Sequence, residues 1–229
     1  MNFNEHLELK GKHSILSPSA ISWINYTNED MAEKLTNRYY AYLRTPMGTA
    51  LHDFAAVNIS LREKISTKSK RSLIHLIKLF LKSKENEKGE RVYPESLINF
   101  CCLLPDHVYE TLVLYINDCI GFRMEPEVGL KYSDNCFGTT DAISFGDNIL
   151  RISDLKTGDT PGHMEQLFIY AALYCLEYHF KPQELKIETR LYQFGEVSEA
   201  IDVPPSIIVP IMDRIIASDN FVETLKKGE

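Results

Sequence analysis

The chain has 229 residues, 44% of them apolar, enough to bury a good core, and a single domain over residues 1–229 is expected. No run of about 18 uncharged apolar residues occurs, and Met1 to Lys12 is polar and mixed in charge, so the expectation is a cytoplasmic protein with no membrane partner. The net charge of −7 argues against a nucleic-acid ligand, because Lys and Arg carry phosphate binding.

That charge is unevenly spread. Residues 62–91 hold ten basic groups against four acidic ones, so this segment is +6 and the remainder −13. A solvated helix face would account for it. So would a basic arm on a phosphate backbone, beside an acidic remainder that holds divalent cations. The five cysteines, Cys101, Cys102, Cys119, Cys136 and Cys175, form no CxxC pair and no zinc-type spacing with histidine; they read as reduced thiols.

In chain order, Ser17-Pro18 followed by Ser19 to Ile24 predicts a capped helix start. A second helical stretch is predicted over 28–44, where Pro46 stops it or starts the next. From Met47 to Leu61, Leu51, Phe54, Ala55 and Ile59 recur at helical spacing with His52 beside them. Leu73, Ile74, Ile77 and Leu81 continue that spacing in the basic segment, and further helices are predicted after Pro94 and after Pro105.

The pattern changes near Gly121. Short alternating runs split by turn formers predict three antiparallel strands over about 123–132, 137–145 and 149–156. A helix over 162–179, a strand over 185–194 and a terminal helix after Pro205 complete the chain. The expected fold is α/β, with a mixed, mainly antiparallel central sheet flanked by helices and a helical N-terminal half. Its parts are a mostly helical 1–121 containing His52, a hairpin, helix and strand over 122–200, and a C-terminal helix over 201–229.

The second and third strands meet at Gly146-Asp147-Asn148-Ile149, a two-residue turn whose central positions suit Asp and Asn at positive φ. In that register Asp141 lies opposite Asp154, and Lys156 points to the same face. Two carboxylates so placed repel unless something compensates. A divalent cation such as Mg²⁺ or Mn²⁺ would do so, with oxygen ligands of the kind it selects. Alternatively, one or both aspartates face solvent, since a slip of one residue moves a side chain across the sheet.

Gly138-Thr139-Thr140-Asp141, then Asp154-Leu155-Lys156, then Gln166 to Tyr170 resembles the GxxD, (D/E)xK and QxxxY run of the PD-(D/E)XK nuclease superfamily. The likeness is to its RecB-like and phage-type exonuclease branch. Leu16-Ser17-Pro18-Ser19 and Gly48-Thr49-Ala50-Leu51-His52 resemble that branch's upstream features, the latter its helical histidine motif. The resemblance implies a restriction-endonuclease-like core and a Mg²⁺- or Mn²⁺-dependent deoxyribonuclease. It implies metal ligation by Asp141, Asp154, His52 and the backbone carbonyl of Leu155, with Glu125 as a further acid; Glu127 shares its strand face. Lys156 would orient or deprotonate the attacking water. Gln166 and Tyr170, one turn apart on one helix face, would position DNA or support the site.

Lys68, Lys70, Arg71 and Lys78 are the candidate phosphate contacts. No four cysteines are spaced for an iron-sulfur cluster, and none is expected. No GxxxxGK[ST] loop occurs, so unwinding would come from a helicase partner, and an annealing protein is the other expected partner. The expected activity is exonucleolytic, in recombination, repair or phage DNA processing. The alternative is a DNA-binding scaffold that keeps the fold with little catalysis.

Overall fold

In the computed structural model, residues 14–19, 21–66 and 69–228 are described. The chain divides into two units, Met1–Met47 and Gly48–Glu229. In the first, the segment read as a capped helix is a short 3-10 helix, Ile21–Asn25, rather than an α-helix. Trp23 folds back so that its indole N–H donates to the Ser17 carbonyl at 3.0 Å, which bends this stretch into a turn. Thr27 then starts α1 (Met31–Leu61), its carbonyl accepting from the Met31 N–H at 2.9 Å.

Two helices separated at Pro46 were expected, and α1 instead runs through it. Pro46 removes the N–H that would have bonded the Tyr42 carbonyl. Tyr42 is 46% exposed, so water is at hand to take that carbonyl, and the helix tolerates the missing bond.

The second unit is built on a five-stranded sheet in sequential order: β1 (Glu125–Ser133), β2 (Cys136–Gly146), β3 (Ile149–Leu155), β4 (Lys186–Gln193) and β5 (Glu196–Ala200). β3 and β4 pair in parallel and every other pair is antiparallel, so the sheet is mixed and mainly antiparallel. A parallel pair needs a crossover, supplied here by α5 (Met164–Glu177). At the β2–β3 turn Asp147 and Asn148 have φ of 52° and 59°, the left-handed pair that a two-residue turn matching strand twist requires.

Alternation along β4 assigns the helices to faces. Ile187 and Leu191 join the core formed with Leu167 and Ala171 of α5, while Tyr192 meets Tyr115 of α4 (Asp106–Gly121) edge-on at 5.3 Å. Ile208 and Ile215 of α6 (Pro205–Lys227) extend the α5 core. Earlier in the unit, α2 (Lys70–Ser83) buries Leu73, Ile77 and Leu81 at helical spacing, followed by the short α3 (Glu95–Phe100). β5 escapes a periodicity reading because it is an edge strand whose residues are almost all exposed.

The α4 face of the sheet also buries charge. Arg190 reaches Glu188 at 3.2 Å and Glu199 at 3.0 Å, and Arg151 reaches Glu188 at 2.8 Å. The Arg190 and Arg151 guanidinium groups lie 4.3 and 5.2 Å from the Phe122 ring centre. Pairing, and stacking on the Phe122 ring, compensate the buried charges of Arg190 and Glu188.

Candidate metal centre

The site sits where the β2–β3 ladder ends. The last paired residues are Ala142 and Ser153, so the next step places Asp141 opposite Asp154, in the register read from the turn. Asp141 turns one carboxylate oxygen inward to accept the Leu155 N–H at 2.8 Å. Its other oxygen lies 3.4 Å from His52 Nδ1, presented by α1. Burial draws the His52 pKa down, but the hydrogen bond and charge of Asp141, reinforced by Asp154 and Glu127, lift it above the ordinary histidine value.

Asp154 is only 3% exposed. Its carboxyl pKa is pushed up to about 6, first by burial and then by the charge of Asp141, against the pull of Lys156. The Lys156 ammonium donates to Asp154 Oδ1 at 3.1 Å and to Gln166 Oε1 at 3.2 Å. Asp154 Oδ2 is buried without a hydrogen bond, although the ammonium lies 2.9 Å away. A buried carboxylate oxygen left without a hydrogen bond is costly unless something else coordinates it.

Of the two strand-β1 acids, the structure brings Glu127 rather than Glu125 to this cluster. Glu125 is turned to solvent in an ion pair with Arg62, the residue just past the end of α1. Glu127 falls opposite Asp141, between the pairs Pro126–Ala142 and Val128–Thr140. One ligand atom from each of His52, Glu127 and Asp141 lies within 4.8 Å of the others. Glu127 holds φ at 53°, a left-handed conformation that costs a non-glycine residue about 1–2 kcal/mol; such strain gathers at functional sites. Burial and Asp141 raise its pKa, with His52 opposing.

The three groups open into a cleft of about 330 Å³ together with Gly48, Thr49 and Asp53. Asp53, which sequence reasoning missed, sits next to His52 on α1 and accepts a hydrogen bond from the Tyr93 hydroxyl; an acidic neighbour of a helical histidine carries no signal of its own.

Gln166 and Tyr170 both bond to groups around the hairpin end. Gln166 holds Lys156, while the Tyr170 hydroxyl donates to the Thr139 carbonyl at 2.7 Å. The ring packs so close that a Cβ on Gly138 would stand 3.1 Å from Tyr170 Cε1, which accounts for the glycine at that position of the GxxD segment. Of the candidate phosphate contacts, Lys70 pairs with Asp106 and lies over the Tyr109 ring. Arg71 is exposed and Lys78 half-buried on α2; Lys68 lies outside the described residues. Among the described residues no single helix is long and apolar enough to cross a membrane.

A mixed sheet whose central hairpin ends in two acids and a lysine, faced by a histidine and a third acid, defines an α/β protein with a candidate cation centre. A family model described as a protein of unknown function (DUF2800) matches residues 13–189, and the chain belongs to that family. No curated protein matches the chain, and no solved structure does.

Proposed function

We propose that this protein is a metal-dependent DNA nuclease of the PD-(D/E)XK kind, acting as an exonuclease in recombination, repair or phage DNA processing. The observation that carries the reading is the end of the β2–β3 hairpin, where Asp141 faces a buried Asp154 whose Oδ2 lacks a hydrogen bond while Lys156 stands beside it. The donor set fits a hard divalent ion: carboxylates of Asp141 and Glu127 with one imidazole nitrogen from His52, a mixture that Mg²⁺ accepts through oxygen and Mn²⁺ through both, and the neighbouring Asp154 is a further candidate ligand. The Leu155 carbonyl is a further candidate ligand.

When bound there, Mg²⁺ or Mn²⁺ supplies an activated water and neutralises charge growing on the scissile phosphate. The chain's own groups then divide the work. Asp141 is aimed by the Leu155 N–H and keeps His52 oriented through its second oxygen. Lys156, held at its tip by Asp154 and Gln166, orients the attacking water and steadies the negative charge of the phosphate. Arg71, Lys70 and Lys78 on α2 are the proposed contacts to the DNA backbone, a sequence-independent interaction that weakens with salt. A helicase or an annealing protein is the proposed partner.

The test is cleavage of end-labelled linear duplex and closed circular DNA by wild type and Asp154→Ala in Mg²⁺, Mn²⁺ or EDTA. Metal-dependent loss of linear DNA alone, abolished in the variant, is the expected outcome. Folded protein that binds Mn²⁺ yet leaves all DNA intact would sink the enzyme reading and favour a DNA-binding scaffold.

A further inference from the structure

We infer that Gln193, at the C-terminal end of β4, is a positioning residue that clamps the loop 157–163 against Lys156 and thereby fixes the ammonium between Asp154 and Gln166. The catalytic consequence rests on the nuclease reading above; the clamp itself rests on geometry alone. Gln193 is 8% exposed, and its side-chain amide bonds to this loop three times. Its Nε2 donates to the carbonyls of Gly158 at 2.9 Å and Thr160 at 2.7 Å, and its Oε1 accepts the Gly162 N–H at 2.8 Å. Both donors and the acceptor of one side chain are thus spent on five consecutive residues with no regular secondary structure.

The loop joins the two ends of the candidate catalytic apparatus. It begins just after Lys156, the residue that follows β3, and ends at the start of α5, two residues before Gln166. At Gly162 the loop runs close to the lysine stem, leaving no room for a side chain: an added Cβ would stand 3.0 Å from Lys156 Cγ and 3.0 Å from a Leu191 methyl. The Lys156 N–H meanwhile donates to the Tyr192 carbonyl at 2.9 Å. Consecutive residues of β4 therefore hold the lysine twice, Tyr192 by its backbone and Gln193 through the loop that walls its stem. A lysine is a point charge on four flexible carbons. The wall removes other paths for the stem, so that the ammonium's bonds to Asp154 and Gln166 are made from one conformation.

Only an amide serves. A glutamate would still accept from Gly162 but would set its second oxygen against two carbonyls. A leucine would fill the space and leave all three loop groups to seek water by opening the loop.

The experiment compares wild type with Gln193→Leu, and with Gln193→Glu as a second variant should the first fold poorly. Three quantities are read: acylation of Lys156 by an amine-reactive ester, mapped by mass spectrometry against Lys131 and Lys186; Mn²⁺ affinity by calorimetry; and kcat and KM on linear duplex DNA. The clamp predicts that Lys156 labels about tenfold faster while the reference lysines do not change. It predicts Mn²⁺ affinity within about twofold and kcat lowered about tenfold or more at nearly constant KM. Unchanged Lys156 labelling in a folded variant overturns the clamp, and faster labelling with unchanged kcat overturns its role in positioning. If wild type cuts no DNA the nuclease reading falls, while the labelling still decides whether Gln193 holds Lys156.

Discussion

Asp154 is a carboxyl held in the fold at a disadvantage, and removing its charge should make the metal-free protein more stable. Its pKa stands at about 6 against an ordinary 3.8, from burial first and Asp141 second. At one pKa unit per 1.36 kcal/mol, ionising it in the fold opposes folding by about 3 kcal/mol at neutral pH. The folded carboxyl binds its proton more tightly than the unfolded one. Stability is therefore lost as pH rises from about 4 to 6, stays lost above, and is recovered on acidification. Asp154→Asn removes this slope, and because the pull of Lys156 is already contained in the value of about 6, losing that ion pair subtracts nothing further.

The net gain is about 3 kcal/mol above pH 7, or a melting temperature higher by about 6–12 °C in a chain of this length. Thermal unfolding followed by circular dichroism between pH 4 and 8 in EDTA measures it. His52, whose pKa is raised, adds a slope of the same sign at higher pH, so the decisive quantity is the difference between the two proteins. Mn²⁺ should raise the melting temperature of wild type far more than that of Asp154→Asn. An Asp154→Asn protein less stable than wild type at pH 8 in EDTA would refute the reasoning.

Two further outcomes follow from the site and its frame. Glu127→Gly frees the left-handed backbone at φ 53° and should raise the melting temperature relative to Glu127→Ala, by about 1 kcal/mol of relieved strain, while both variants lose Mn²⁺ affinity alike; equal melting temperatures for the two would show that the position is unstrained. Arg190→Met leaves Glu188 buried with Arg151 and the more distant Lys186 still against it, and should cost about 1.5–3 kcal/mol in urea unfolding, whereas an effect below about 0.5 kcal/mol would mark the network as dispensable.

Much of this arrangement follows from local sequence rules. The Asp147-Asn148 turn accepts only a narrow backbone geometry, and with side chains alternating every residue it settles the β2–β3 register as far as Asp141 and Asp154. Lys156 follows by parity, and the stripe around Leu51, Phe54 and Ile59 places His52 on a helix. Tertiary structure alone decided which β1 acid joins the centre. The β1–β2 ladder shifts by one residue between Lys131 and Ser133, so counting back from the Ser133–Cys136 pair would set Val128 opposite Asp141. The irregularity delivers Glu127 instead, and whether a strand takes up an extra residue depends on packing that no local pattern encodes. The same holds for Gln193, a lone polar residue ending a strand in sequence, whose three partners lie about 30 residues away and come within reach only when α5 carries the chain back to lay β4 parallel to β3.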